Sequence, residues 1–98
     1  MSFFVYILKC SDGTFYVGFT NAPEKRLHAH NYLKTGAKYT KGRRPVGLVY
    51  KQKHFTMRKA KQNEYKIKQL TRKEKVQLVV DFKRRNKKTP RKNFSSGE

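Results

Sequence analysis

The stretch 15-FYVGFTNAPEKRLHAH-30 begins as a strand, turns and enters a helix. Phe15, Val17 and Phe19 alternate with Tyr16, Gly18 and Thr20, which gives a strand with one apolar face and one face that presents Tyr16. Asn21 is placed to cap the helix that follows, Pro23 is tolerated in its first turn, and Glu24 favours the positive end of its dipole. The spacing predicts a helix from about Ala22 to about Leu33, with Arg26 and His30 four apart on one face and Leu27 on a different side.

Upstream, Phe3 to Lys9 is rich in aromatic and β-branched residues, and Asp12-Gly13 separates it from the strand above, which is a hairpin signal. Downstream, 35-TGAKYTKGRRP-45 has two glycines and no periodicity and reads as a basic loop. Val46 to Phe55 reads as a third strand, with Leu48 and Tyr50 on one face and Val49 on the other. Thr56 is placed to cap a helix from Met57 to about Leu70. Thr71-Arg72-Lys73-Glu74 has the pattern of a capping box opening a last helix to about Phe82, with Val76, Val79 and Val80 available to the core.

These elements make one α/β domain over residues 1–83, a three-stranded, mainly antiparallel sheet flanked by about three helices. Residues 84–98, basic and then small and polar, read as a flexible tail able to lie on nucleic acid.

Charge narrows the function. Twenty-five Lys and Arg against six Asp and Glu give a net charge of +19, and no acidic residue falls between Glu24 and Glu64. Such a chain calls for a polyanion, because each neutralised phosphate releases counterions and drives association. The basic residues are spread through the chain without a long apolar helix face, which favours DNA or RNA over an anionic membrane. Cys10 is the single cysteine, so no internal disulfide forms and no paired spacing suggests zinc. The apolar start MSFFVYILKC lacks a basic leader and reads as a strand, so a cytoplasmic rather than secreted protein is expected.

One carboxylate breaks the pattern. The helical period that links Met57, Ala60 and Ile67 passes through Glu64, which places an acid in an inward stripe. Burial of a lone carboxylate is costly, so Glu64 either pairs with a basic side chain, emerges at the sheet edge on a slightly rotated helix, or holds a divalent metal. Mg²⁺ needs only one or two protein carboxylates when water and phosphate fill its other positions.

Taken together, the hairpin tyrosines, Arg26 and Glu64 resemble the GIY-YIG nuclease family. Its first tripeptide falls on Phe4-Val5-Tyr6 and its second on Tyr16-Val17-Gly18. The chain departs from the family at Phe4, where glycine is usual, and at Val5, where isoleucine is usual. His30-Asn31, Gly36-Ala37-Lys38-Tyr39-Thr40, RRPVGLVY and EYKIKQLTRKEK resemble small single-domain bacterial members and the nuclease subunit of the eukaryotic structure-specific complex. The likeness spans about residues 3 to 80.

The resemblance implies a metal-dependent endonuclease acting on DNA, with branched DNA as a candidate substrate and a protein partner as a possible source of specificity. It implies that Glu64 binds a single Mg²⁺ or Mn²⁺, that Arg26 holds a phosphate oxygen, and that one of the two hairpin tyrosines deprotonates water; Tyr6 is favoured for that role and Tyr16 for positioning. His30 then orients a tyrosine or the water; with an ordinary pKa of about 6.5 it sets a loss of activity in mild acid. Lys38, Tyr39, Lys41, Arg43 and Arg44 form the expected nucleic-acid contacts, and His28 and His54 have no assigned role. The rival expectation from charge alone is a non-catalytic basic protein that binds nucleic acid.

Overall fold

The computed structural model describes residues 2–93, with side chains described as far as Arg85. Three strands, β1 (Phe3–Lys9), β2 (Phe15–Thr20) and β3 (Gly47–His54), form one antiparallel sheet in the order β2-β1-β3. Among the described residues four helices accompany it: α1 (Pro23–Tyr32), α2 (Lys38–Lys41), α3 (Met57–Lys68) and α4 (Arg72–Asn93).

The hairpin between β1 and β2 closes as its composition requires. Asp12 Oδ1 accepts from the Thr14 backbone at 3.1 Å and from the Thr14 hydroxyl at 2.7 Å. Gly13 takes φ +86°, a conformation that residues with a Cβ avoid. As the central strand, β1 is covered on both sides, and Val5, Tyr6, Ile7 and Leu8 are all 3% exposed or less. Each aliphatic side chain so buried contributes on the order of 2 kcal/mol.

One core cluster joins Val5, Ile7, Val17 and Tyr50 to Ala60 and Ile67 of α3 and Val79 of α4. The opposite face carries a second cluster of Tyr6, Leu8, Cys10 and Val46, with Tyr16, Leu27 and Leu48 packed against it. Leu27, expected on a different side of α1, therefore shares the task of seating that helix.

Several boundaries differ from the expected ones. Asn21 does not cap α1: Ala22 occupies the cap position without a side-chain bond, and the Thr20 hydroxyl accepts from the Ala22 backbone at 3.1 Å. Leu48 and Tyr50 lie in opposite clusters because the pairing of β1 with β3 shifts register between Ile7 and Leu8, and such an irregularity resets the alternation of faces. The basic loop contains the short helix α2.

In α3, Thr56 caps by accepting from the Lys59 backbone, but Met57 is exposed because it sits before the helix reaches the sheet. The capping box of α4 forms in both directions, Thr71 N to Glu74 Oε1 at 2.8 Å and Glu74 N to Thr71 Oγ1 at 3.2 Å. Of its three valines only Val79 is buried; Leu78 and Phe82 do the remaining packing. The helix continues past Phe82 to Asn93. It thereby takes in the first part of the segment expected as a tail, and residues 94–98 of that segment lie outside the described residues.

Candidate active site

Strand alternation turns Tyr6 and Tyr16 to the same sheet face, and α1 lays His30 between them. The Tyr6 hydroxyl lies 3.0 Å from His30 Nε2, and the Tyr16 and His30 rings meet edge to face at 5.0 Å. Tyr39 of α2 extends the group, its ring centroid 5.9 Å from that of Tyr16.

The proton positions follow from a residue beyond the ring. Thr40 is wholly buried, and its hydroxyl donates to the Ala37 carbonyl at 2.9 Å. Having one hydrogen, that hydroxyl meets His30 Nδ1, 2.9 Å away, as an acceptor. Nδ1 therefore carries the imidazole proton, Nε2 offers its lone pair, and Tyr6 donates to it. The result is a directed chain: Tyr6 O–H to His30, His30 N–H to Thr40, Thr40 O–H to the Ala37 carbonyl.

Burial, together with the positive charges of Arg26 and Arg44, lowers the His30 pKa to about 4. The mild-acid titration expected of this residue is therefore displaced, because enclosure disfavours the imidazolium. Burial likewise raises the Tyr6 phenol to about 12; the Arg26 guanidinium beside it pulls the other way, while Tyr16 and Glu64 add to the rise.

Two glycines make this arrangement possible. A Cβ on Gly18, across from Tyr6 in the sheet, would fall 2.6 Å from the Tyr6 hydroxyl oxygen. A Cβ on Gly36 would fall 2.4 Å from the Ala29 carbonyl oxygen and 2.9 Å from His30 Cα, so glycine lets the loop lie against α1 at the catalytic histidine candidate.

Arg26 directs Nη1 to the Thr35 carbonyl at 3.0 Å, which holds the fork while leaving further donors for a ligand. Glu64 enters from α3 between Ala60 and Ile67, with its side chain 19% exposed and Lys68 Nζ at 3.3 Å. The pairing and metal readings of this carboxylate both have a physical basis here: it is ion-paired, and its charge acts on Tyr6. Among the described residues no group of three or more His, Cys, Asp or Glu gathers around a common point. A single half-buried carboxylate with one solvent-facing lysine as partner fits an ion that draws its other ligands from water and phosphate.

The expected phosphate contacts divide. Lys38 and Lys41 are exposed on α2. Arg43 instead pairs with Asp12 at 3.1 Å, donates to the Tyr39 carbonyl at 2.7 Å and lies 4.1 Å over the Tyr39 ring. Arg44 donates to the carbonyls of His30 at 2.6 Å, Leu33 at 2.6 Å and Ala29 at 3.3 Å, so it satisfies the C-terminal end of α1. These are structural ties, and in Arg44 they engage Nε and Nη2.

Asn31 and Thr40 had no assigned role, although both sit in the HN and GAKYT stretches. Asn31 clamps the Val46 backbone in both directions, at 2.7 and 3.0 Å. His54, also without a role, accepts from Asn63 at 3.0 Å.

A family model described as the GIY-YIG catalytic domain matches residues 2–77. A UPF0213 protein of Bacillus velezensis is 51% identical over 86 residues, covering 88% of this chain and 85% of the relative. One of Clostridium perfringens is 54% identical over 76 residues, covering 78% and 81%. The solution NMR structure of a protein from E. faecalis superposes with a TM-score of 0.58 at 44% identity, covering 84% of this chain and 86% of that one. The solution NMR structure of the UPF0213 protein of Bacillus halodurans gives 0.53 at 41% identity, covering 82% and 84%.

Proposed function

This chain belongs to the GIY-YIG family, and on that premise we propose that it is a metal-dependent endonuclease hydrolysing DNA phosphodiester bonds. The observation that carries the reading is the directed chain from Tyr6 through His30 to Thr40, set beside Arg26 and within electrostatic reach of Glu64.

Tyr6 accepts a proton from the attacking water as it passes its own to His30 Nε2, so no free phenolate accumulates. Neutral His30 receives that proton only transiently, because the enclosure that keeps it neutral also disfavours the imidazolium, and the proton returns through Tyr6 to the leaving oxygen. Arg26 meets the negative phosphoryl oxygens with a planar cationic fork. A divalent ion on Glu64 would supply stabilisation of charge on the phosphoryl and leaving oxygens when bound. Tyr16, packed on His30 and Tyr39, fixes the floor on which Tyr6 works. Lys38 and Lys41 draw the DNA backbone toward the site. The preferred DNA form is proposed to be branched or discontinuous, recognised by its shape rather than by its base sequence.

The test is cleavage of supercoiled plasmid and of a branched substrate with Mg²⁺, Mn²⁺ or chelator. Nicking that needs metal and is lost in Glu64→Gln and Arg26→Ala is the expected result. Absence of cutting in every condition, with DNA binding indifferent to Glu64→Gln, would instead establish the non-catalytic binding protein that the charge alone allows.

A further inference from the structure

The sheet face that carries Tyr6 continues beyond the site. Phe4 pairs across the sheet with Thr20 and Lys53, and Tyr6 with Gly18 and Lys51, so Phe4, Lys51 and Lys53 present their side chains on the Tyr6 face. α1 covers the other end of that face, where Leu27 packs with Leu8, Tyr16 and Leu48. α3 and α4 pack on the reverse side. Among the described residues the Phe4 end stays open: Lys53 is exposed and Phe55, just beyond β3, is 78% exposed.

Each aromatic ring there has an ammonium over it. Lys51 Nζ lies 5.5 Å from the Phe4 ring centroid, and Lys53 Nζ lies 5.3 Å from that of Phe55. Aromatic surface and positive charge thus alternate along β3 and lead away from Tyr6. A duplex hides its base faces in the stack, and a phenylalanine reaches them there only at the cost of unstacking a base step. Unpaired bases offer both what the rings take and what the lysines take, a π-face and a phosphate. The net charge of +19 favours a polyanion over an apolar protein segment on this surface.

We infer that Phe4, Lys51, Lys53 and Phe55 form a stacking platform for an unpaired strand whose neighbouring phosphate enters the Tyr6 site. The inference rests on the nuclease reading for its direction, and it makes the substrate a nucleic acid with a single-stranded arm. A single strand laid along β3 reaches the site without a duplex having to enter it.

Binding in chelator separates the platform from the chemistry. The full chain is titrated against a fluorescein-labelled oligothymidine and a labelled duplex of equal length, read by fluorescence anisotropy, with Phe55→Ala and Lys53→Ala as variants. Phe55→Ala is expected to weaken the oligothymidine about tenfold while changing duplex affinity less than about twofold. Lys53→Ala is expected to reduce the slope of log affinity against log salt for the oligothymidine by about 0.7. Equal losses on both DNAs, or no loss on either, overturn the platform. Because no metal is present, that failure leaves the nuclease reading standing; an intact platform on a protein that never cuts marks the reverse failure.

Discussion

The Thr40 hydroxyl receives the Nδ1 proton of His30 across 2.9 Å while committing its own hydrogen to the Ala37 carbonyl, and this fixes which imidazole nitrogen faces Tyr6. A residue with no contact to Tyr6 among these bonds thereby sets the direction in which the Tyr6 proton can move. Replacing Thr40 with valine keeps the shape and removes the acceptor. Stability is expected to fall by about 1–3 kcal/mol, the cost of leaving a buried donor unmet. The ¹⁵N shifts of the His30 ring should lose their single-tautomer signature, and DNA cleavage should fall with them. Thr40→Ser should restore all three; a valine variant that keeps the same tautomer contradicts the assignment.

Acid should destabilise the fold well before it reaches ordinary carboxylates. His30 titrates near 6.5 when unfolded and near 4 when folded, so between these values the unfolded chain binds the extra proton. Stability is then complete above about pH 6.5 and declines as pH falls toward 4, by up to about 3 kcal/mol. Urea unfolding at pH 7 and pH 5 measures the drop, which His30→Gln should largely remove. Cleavage, for its part, should show no loss centred near pH 6.5 that traces to His30.

The two glycines should fail differently. Gly18→Ala drives a methyl into the hydroxyl end of Tyr6, a side chain that can swing aside, so the fold survives and cleavage falls. Gly36→Ala meets the Ala29 carbonyl and His30 Cα, which are backbone and cannot yield as easily. Thermal unfolding should separate them, with Gly36→Ala the more destabilised by at least about 1 kcal/mol.

Arg44→Ala should behave as the loss of a helix cap. The His30 carbonyl loses its partner while those of Ala29 and Leu33 keep the backbone donors Leu33 N and Gly36 N, so stability should drop by about 1–3 kcal/mol. Affinity for DNA should change little in comparison with Lys38→Ala combined with Lys41→Ala. A large affinity loss without a change in stability would put Arg44 in the phosphate-binding set.

Local chemistry made much of this molecule legible in its sequence. The Asp12-Gly13 hairpin, the Thr56 cap and the Thr71/Glu74 box each depend on neighbours within a few residues, and each forms as expected. Strand period and helical spacing brought Tyr16, Arg26 and His30 into view because those periods govern which residues share a face, whereas Tyr6 came from the likeness of Phe4-Val5-Tyr6 to the family's first tripeptide. What stayed hidden depends on distant partners. Tyr50 changes cluster because of an irregularity between strands far apart in sequence. Thr40 lies in a segment without periodicity, and only the packing of α2 against α1 reveals its partner. The displaced pKa of His30 follows from enclosure by three elements, which no spacing within α1 encodes.

Single-turnover cleavage by Tyr6→Phe, with DNA binding measured alongside, tests the central claim most directly. The substitution removes one oxygen and keeps the ring, so the sheet and its packing persist. The account predicts a cleavage rate lower by about a hundredfold or more, the range for loss of a general base, with affinity unchanged. Cleavage within a fewfold of the native rate would contradict it and leave the Tyr6–His30 bond as a structural contact.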